Sequence, residues 1–113
     1  MDITVKNIDN VTILTLKGNL LGESNAAPIQ EIINNAIEEK RVNFIFDVEE
    51  MKYINSTGLS ILISTLTKAR KSEGELCLIK VPAQLASLLK ITKLENIFPQ
   101  CTTIEDALNK FKK

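Results

Sequence analysis

The run MKYINSTGLSILISTL, Met51 to Leu66, decides how this chain is to be folded. Just upstream, Asn43-Phe44-Ile45-Phe46-Asp47-Val48 is a short apolar run rich in aromatic and β-branched residues, the pattern of a buried strand. Downstream, Leu59, Leu62, Leu66 and Ala69 recur at helical spacing with Ile63 beside them, so a helix is expected over 57–71. Ser56 or Thr57 at the junction suits an N-cap, because a short side-chain oxygen can accept a bond from an unpaired first-turn N–H. Gly58 in the first turn either leaves the backbone open to a partner or lets the helix approach the sheet closely. A hydroxyl there stands where free N–H groups and the positive end of the helix dipole tolerate a phosphate. A serine in that place can equally be a cap and nothing more.

Working outward toward the N-terminus, residues 3–8 and 11–17 alternate apolar with polar around Asp9-Asn10, a two-residue turn signal, and so form a β-hairpin. Gly18-Asn19-Leu20-Leu21-Gly22 reads as a loop. Its two leucines either fold under the domain or sit at a contact surface. Ser24 and Asn25 are cap candidates with Pro28 near a helix start. Ile29, Ile32, Ile33, Ala36 and Ile37 make a helical stripe that ends near Glu39-Lys40-Arg41. Strand 43–48 follows, then a loop over 49–55. A strand–helix–strand series of this kind is a right-handed parallel crossover.

Toward the C-terminus, Ser72-Glu73-Gly74 is a helix stop, with Gly74 suited to a left-handed cap. Glu75–Val81 is a strand, and Pro82 is the first position of a short helix carrying Leu85, Leu88 and Leu89. A short edge strand fits around Phe98–Thr102. Thr102 with Glu105 fits a capping box before a last helix with Ile104, Ala107, Leu108 and Phe111 on one face. Strand signals alternating with helix signals give an α/β fold over residues 1–113: a mixed β-sheet with an N-terminal antiparallel hairpin and about four helices packed mainly on one face.

Composition removes many functions. Fourteen basic and fourteen acidic residues leave zero formal charge, which argues against a direct nucleic-acid surface. No apolar run is long enough for membrane insertion, and the N-terminus lacks the pattern of a signal peptide, so a cytoplasmic protein is expected. The chain has no His, which excludes His-based triads, His general bases and His metal ligands. Cys77 lies in an apolar run and reads as a small core residue; its separation from Cys101 has no metal-binding or redox spacing. Asp47, Glu49 and Glu50 cluster at a strand end, where carboxylates serve acid–base or Mg²⁺ chemistry or are simply solvated. No phosphate-cradling glycine motif is present. The expectation is a protein that is not an enzyme and needs no cofactor or metal.

Asn55-Ser56-Thr57-Gly58-Leu59 resembles the junction Asp-Ser-Ser/Thr-Gly-Leu of the STAS domains of the anti-sigma factor antagonist family. Ile91 to Phe98 and Thr103 to Leu108 resemble that family's C-terminal pattern, and the order of elements agrees over the full length. The resemblance implies a bacterial phosphoprotein, a binding switch in transcription regulation, with Ser56 as the phosphorylation site. It implies that the unphosphorylated form binds an anti-sigma factor that is also a Ser/Thr kinase and so frees a sigma factor, and that a Ser/Thr phosphatase resets the switch. Leu20, Leu21, Asn55, Ser56, Thr57, Gly58 and Leu59 would then form the partner-binding face. Asn55 stands where the family has an acid; that acid is expected to position the serine hydroxyl, so Asn55 is expected to slow phosphorylation of Ser56 and Asn55→Asp to speed it. The alternative is a constitutive STAS subunit of a bacterial phospholipid-transport ABC complex or another signalling scaffold.

Overall fold

The computed structural model describes residues 2–111, and within them every side chain but those of 23–25. Strands β1 (Asp2–Ile8) and β2 (Val11–Leu20) form the antiparallel hairpin. Asp9 and Asn10 both take left-handed backbone angles, φ 51 and 67, the turn whose twist matches that of its strands. Helix α1 (Glu23–Glu38) then crosses to strand β3 (Asn43–Asp47), which lies parallel to β2. A four-residue strand β4 (Met51–Ile54) leads into helix α2 (Ser56–Lys71), followed by strand β5 (Glu75–Ile79) and helix α3 (Ala83–Ile91). Strand β6 (Gln100–Cys101) and helix α4 (Ile104–Phe111) complete the order. The six-stranded sheet runs β1-β2-β3-β5-β6, with β4 paired to the far end of β2.

Alternation along the strands divides the core in two. Leu14, Leu16, Phe44, Phe46, Leu76 and Leu78 point to one face, where α1, α2 and α3 cover them with Ile29, Ile33, Leu62, Leu66, Leu85 and Leu89. Val11, Ile13, Ile45, Cys77 and Ile79 point to the other, against Ala107 of α4. The helices thus lie mainly on one face, three against one, as expected. Phe44 and Phe46 are fully buried, each contributing about 1.5–3 kcal/mol through removal of apolar surface from water.

The structure departs from sequence expectation where pairing partners are distant. Gly18–Leu20 is strand, not loop, because β4 pairs with it in parallel, Leu20 opposite Ile54. Gly18, at φ 106, sits where the register shifts, and lets β2 turn from β3 toward β4. The stretch 49–55 therefore contains a strand. At the end of α2 the left-handed residue is Glu73, φ 67, while Gly74 is needed because a Cβ would strike the Val42 carbonyl. Thr103, not Thr102, caps α4: its Oγ1 accepts the Asp106 N–H at 3.1 Å. Pro82 is the N-cap of α3, one position before the helix. Helix α1 starts at Glu23, so Ser24 and Asn25 lie inside it rather than before it, and their side chains lie outside those described. Pro28 is the sixth helical residue, beyond the first turn where its missing N–H would have been idle.

Candidate functional site

The junction of β4 and α2 is built around Asn55. Its backbone is extended, φ −117 and ψ −174, and its Oδ1 accepts the Gly58 N–H at 2.9 Å, so Asn55 is the N-cap, in place of the expected Ser56 or Thr57. The Nδ2 of the same carboxamide donates to the Leu21 carbonyl at 2.9 Å. One side chain thereby ties the start of α2 to the turn after β2. It satisfies an acceptor with one end and a donor with the other, which only a carboxamide can do here. Among the described residues Asn55 bonds to Gly58 and Leu21 and not to the Ser56 hydroxyl, so its part in this structure is to shape the junction.

Gly58 brings the two elements into contact. A Cβ on it would run into the Leu20 carbonyl oxygen and come within 3.0 Å of Ile54 Cγ1. Of the two open roles for this glycine, close approach of helix to sheet is the one observed. Leu20 and Leu59 are buried with it, so these three residues form the floor of the site. Leu21, Asn55, Ser56 and Thr57 are exposed above that floor, Leu21 by 44%. The two leucines have separate fates: Leu20 folds under and Leu21 faces out. Tyr53, 59% exposed, lines a shallow groove with Met51, Lys52, Pro82, Ala83 and Gln84 at the start of α3.

Ser56 is the first residue of α2. Its Oγ enters no hydrogen bond among the described residues, while its carbonyl accepts from Ser60 Oγ at 3.0 Å. The first turn of α2 holds no acidic residue, and the last turn carries Lys68, Arg70 and Lys71. The dipole is complemented at its negative end and uncompensated at its positive end, beside Ser56.

The acidic cluster has a different character. Asp47 Oδ1 accepts the Glu49 N–H at 3.2 Å, Lys80 Nζ stands 3.9 Å from both Asp47 and Glu49, and Lys17 pairs with Glu50 at 3.2 Å. Each acid faces a lysine; Glu49 and Glu50 are exposed, while Asp47 is largely buried beneath them. No group of three or more metal-ligating side chains assembles among the described residues. Cys77 is buried, and Cys101 packs against it. Burial, then the hydrogen bond with Cys101, pushes the Cys77 thiol up to about 12, so it stays protonated and unreactive.

The family model of the STAS domain matches residues 2–107. This chain belongs to the STAS domain family. Among relatives of this STAS domain is BtrV of Bordetella bronchiseptica, named as a candidate anti-sigma factor antagonist, 25% identical over 112 residues, which are 99% of this chain and 96% of BtrV. A crystal structure of a candidate anti-sigma factor antagonist from Thermotoga maritima superposes with a TM-score of 0.87 at 20% identity, covering 98% of this chain and 95% of the other. The Bacillus cell fate determinant SpoIIAA in its phosphorylated form gives a TM-score of 0.78 at 15% identity, over 98% of this chain and all of the other, 100%. At these identities the two structures establish the shared fold.

Proposed function

We propose that this STAS domain is an anti-sigma factor antagonist whose docking surface is switched by phosphorylation of Ser56. The observation that carries this reading is an exposed serine hydroxyl, unbonded among the described residues, at the first position of a helix with no acid in its first turn, beside exposed Leu21 and Thr57. BtrV, related over nearly the full length, supports the class of function, and SpoIIAA supports the compatibility of this fold with a phosphorylated state.

In this mechanism the unphosphorylated surface binds an anti-sigma factor with Ser/Thr kinase activity, and the sigma factor is released for transcription. The kinase then transfers the terminal phosphoryl group of ATP. The Ser56 oxygen attacks phosphorus, ADP leaves, and the hydroxyl proton passes to a base on the kinase. This chain supplies the nucleophile and its presentation. The added charge, roughly −1.5 to −2, suits the helix end but opposes docking. A Ser/Thr phosphatase reverses the step. Dependence on ATP places the cycle in the cytoplasm. No helix among the described residues is long and apolar enough to cross a membrane.

The test is incubation with ATP and the kinase-like ATPase encoded nearest to this chain, followed by peptide mapping. One phosphate on Ser56 is expected. Phosphate on Thr57 or Ser60 instead would refute the site. Co-purification with a transporter ATPase, and no phosphate, would identify a constitutive transport subunit.

A further inference from the structure

Strand β1 is the longest open edge of the sheet: among the described residues it pairs with β2 alone, while the other edges, β4 and β6, run four and two residues. It runs seven residues with no proline, no glycine and no register shift. Edges of this length normally carry a device against pairing with another chain, such as a bulge, a proline, a cover or a central lysine. Here the central residue is Val5, 44% exposed. The strand's charged residues are Asp2 and Lys6, both exposed, and neither enters an ion pair among the described residues.

The hairpin turn determines which backbone groups look outward. A two-residue turn with both residues left-handed closes on a pair that exchanges both backbone bonds, here Ile8 with Val11. Bonded and non-bonded pairs alternate from there, so Lys6, Thr4 and Asp2 bond inward to Ile13, Thr15 and Lys17. Ile3, Val5 and Asn7 turn their N–H and C=O groups to the outside. A second β1 laid antiparallel with Val5 on the two-fold axis meets all of them. Val5 faces Val5, and Ile3 of each chain faces Asn7 of the other. Asp2 and Lys6 share the opposite face of the strand. In this register Asp2 of each chain lies diagonal to Lys6 of the other, within reach of long side chains. The lysine that would guard the edge is met by an acid. Sliding one residue sets the open groups of one chain against the bonded groups of the other.

We propose that β1 is a homodimer edge, at which two copies of this chain join antiparallel about Val5 into one continuous sheet with two-fold symmetry. Neither Ser56 nor Leu21 belongs to that edge, so the pairing is independent of the proposed switch.

Sedimentation of the full chain over a concentration series tests this, with backbone amide exchange by NMR on the same samples. The expected mass rises toward twice the single-chain 12.6 kDa. Exchange at Ile3, Val5 and Asn7 should slow about tenfold or more with concentration, while Thr4 and Lys6, already bonded to β2, change little. Val5→Pro removes only an outward N–H and should leave a folded monomer. Val5→Lys sets like charges on the axis without touching the backbone, and carries the test if Val5→Pro unfolds. A single-chain mass at every concentration up to about 1 mM overturns the proposal. So does a dimer that survives Val5→Lys, or one whose formation protects Thr4 and Lys6 rather than their neighbours.

Discussion

At the scale of single residues, the site rests on the carboxamide of Asn55. Asn55→Asp keeps an acceptor for the Gly58 N–H, and its charge suits the helix end, but it has no donor for the Leu21 carbonyl. Asn55→Ala loses both bonds. The alanine variant should lose about 1 kcal/mol of stability to urea, and the aspartate variant should stay near the parent. Amide exchange should separate the bonds: Gly58 stays protected in Asn55→Asp, while the turn at Leu21 and Gly22 opens. Equal losses in both variants would show that the Leu21 bond, not the cap, holds the junction. Sequence could place this junction but not its cap, because Asn55, Ser56 and Thr57 are all capping types in a row. Only the approach of the Leu21 carbonyl selects among them. Cys77 gives a second expectation at this scale. Its thiol, ordinarily near 9.0, is pushed to about 12 in the folded chain by burial and by Cys101. The unfolded chain therefore loses that proton first. The contribution of this thiol to stability is complete below pH 9 and is lost as pH rises from 9 toward 12. Cys77→Ala, compared with the parent in urea titrations at pH 7 and pH 10, should show a smaller fall.

At the scale of elements, the contact of α2 with the end of β2 is what makes a site of the junction. Gly58→Ala would drive a methyl group into the Leu20 carbonyl, so either α2 or β2 must shift. Overpacking of this kind costs about 1–3 kcal/mol. Gly22→Ala, where nothing lies within 4 Å and φ is 179, is the control and should change stability by less than about 1 kcal/mol. Urea titration of both variants checks the contrast; equal effects would mean that α2 has room to move. The elements legible from sequence were those with a local period. The hairpin alternates around Asp9-Asn10, α1 shows its isoleucine stripe, and α2 shows its leucine stripe. The illegible ones were β4 and the last three residues of β2. Each is too short to show alternation, and each is a strand only because the other lies beside it. The floor of the site, Leu20 under Gly58, belongs to that non-local pairing, so the residues could be listed from sequence but not sorted into floor and surface.

At the scale of the whole molecule, charge balance shapes how a phosphate would act. Equal numbers of acidic and basic residues leave no net charge to steer a partner from afar, so docking of the unmodified chain should depend on contact at Leu21 and Thr57 and only weakly on salt. Ser56→Glu tests this without a kinase. Its carboxylate stands at the first position of α2, where no acid yet answers the helix dipole. It should leave far-UV circular dichroism unchanged and add roughly 0.3–1 kcal/mol to stability at low salt. That gain should be present above the usual glutamate range and vanish below about pH 4, where the carboxyl takes up its proton. Binding of the proposed anti-sigma kinase should nevertheless fall by about tenfold or more, since the same charge would be desolvated against the partner. Ser56→Ala should bind like the unmodified chain and resist phosphorylation. The two measurements together separate interface from fold. A Ser56→Glu protein that melts early would place the effect of charge in stability, and one that binds as well as Ser56→Ala would remove Ser56 from the docking surface altogether.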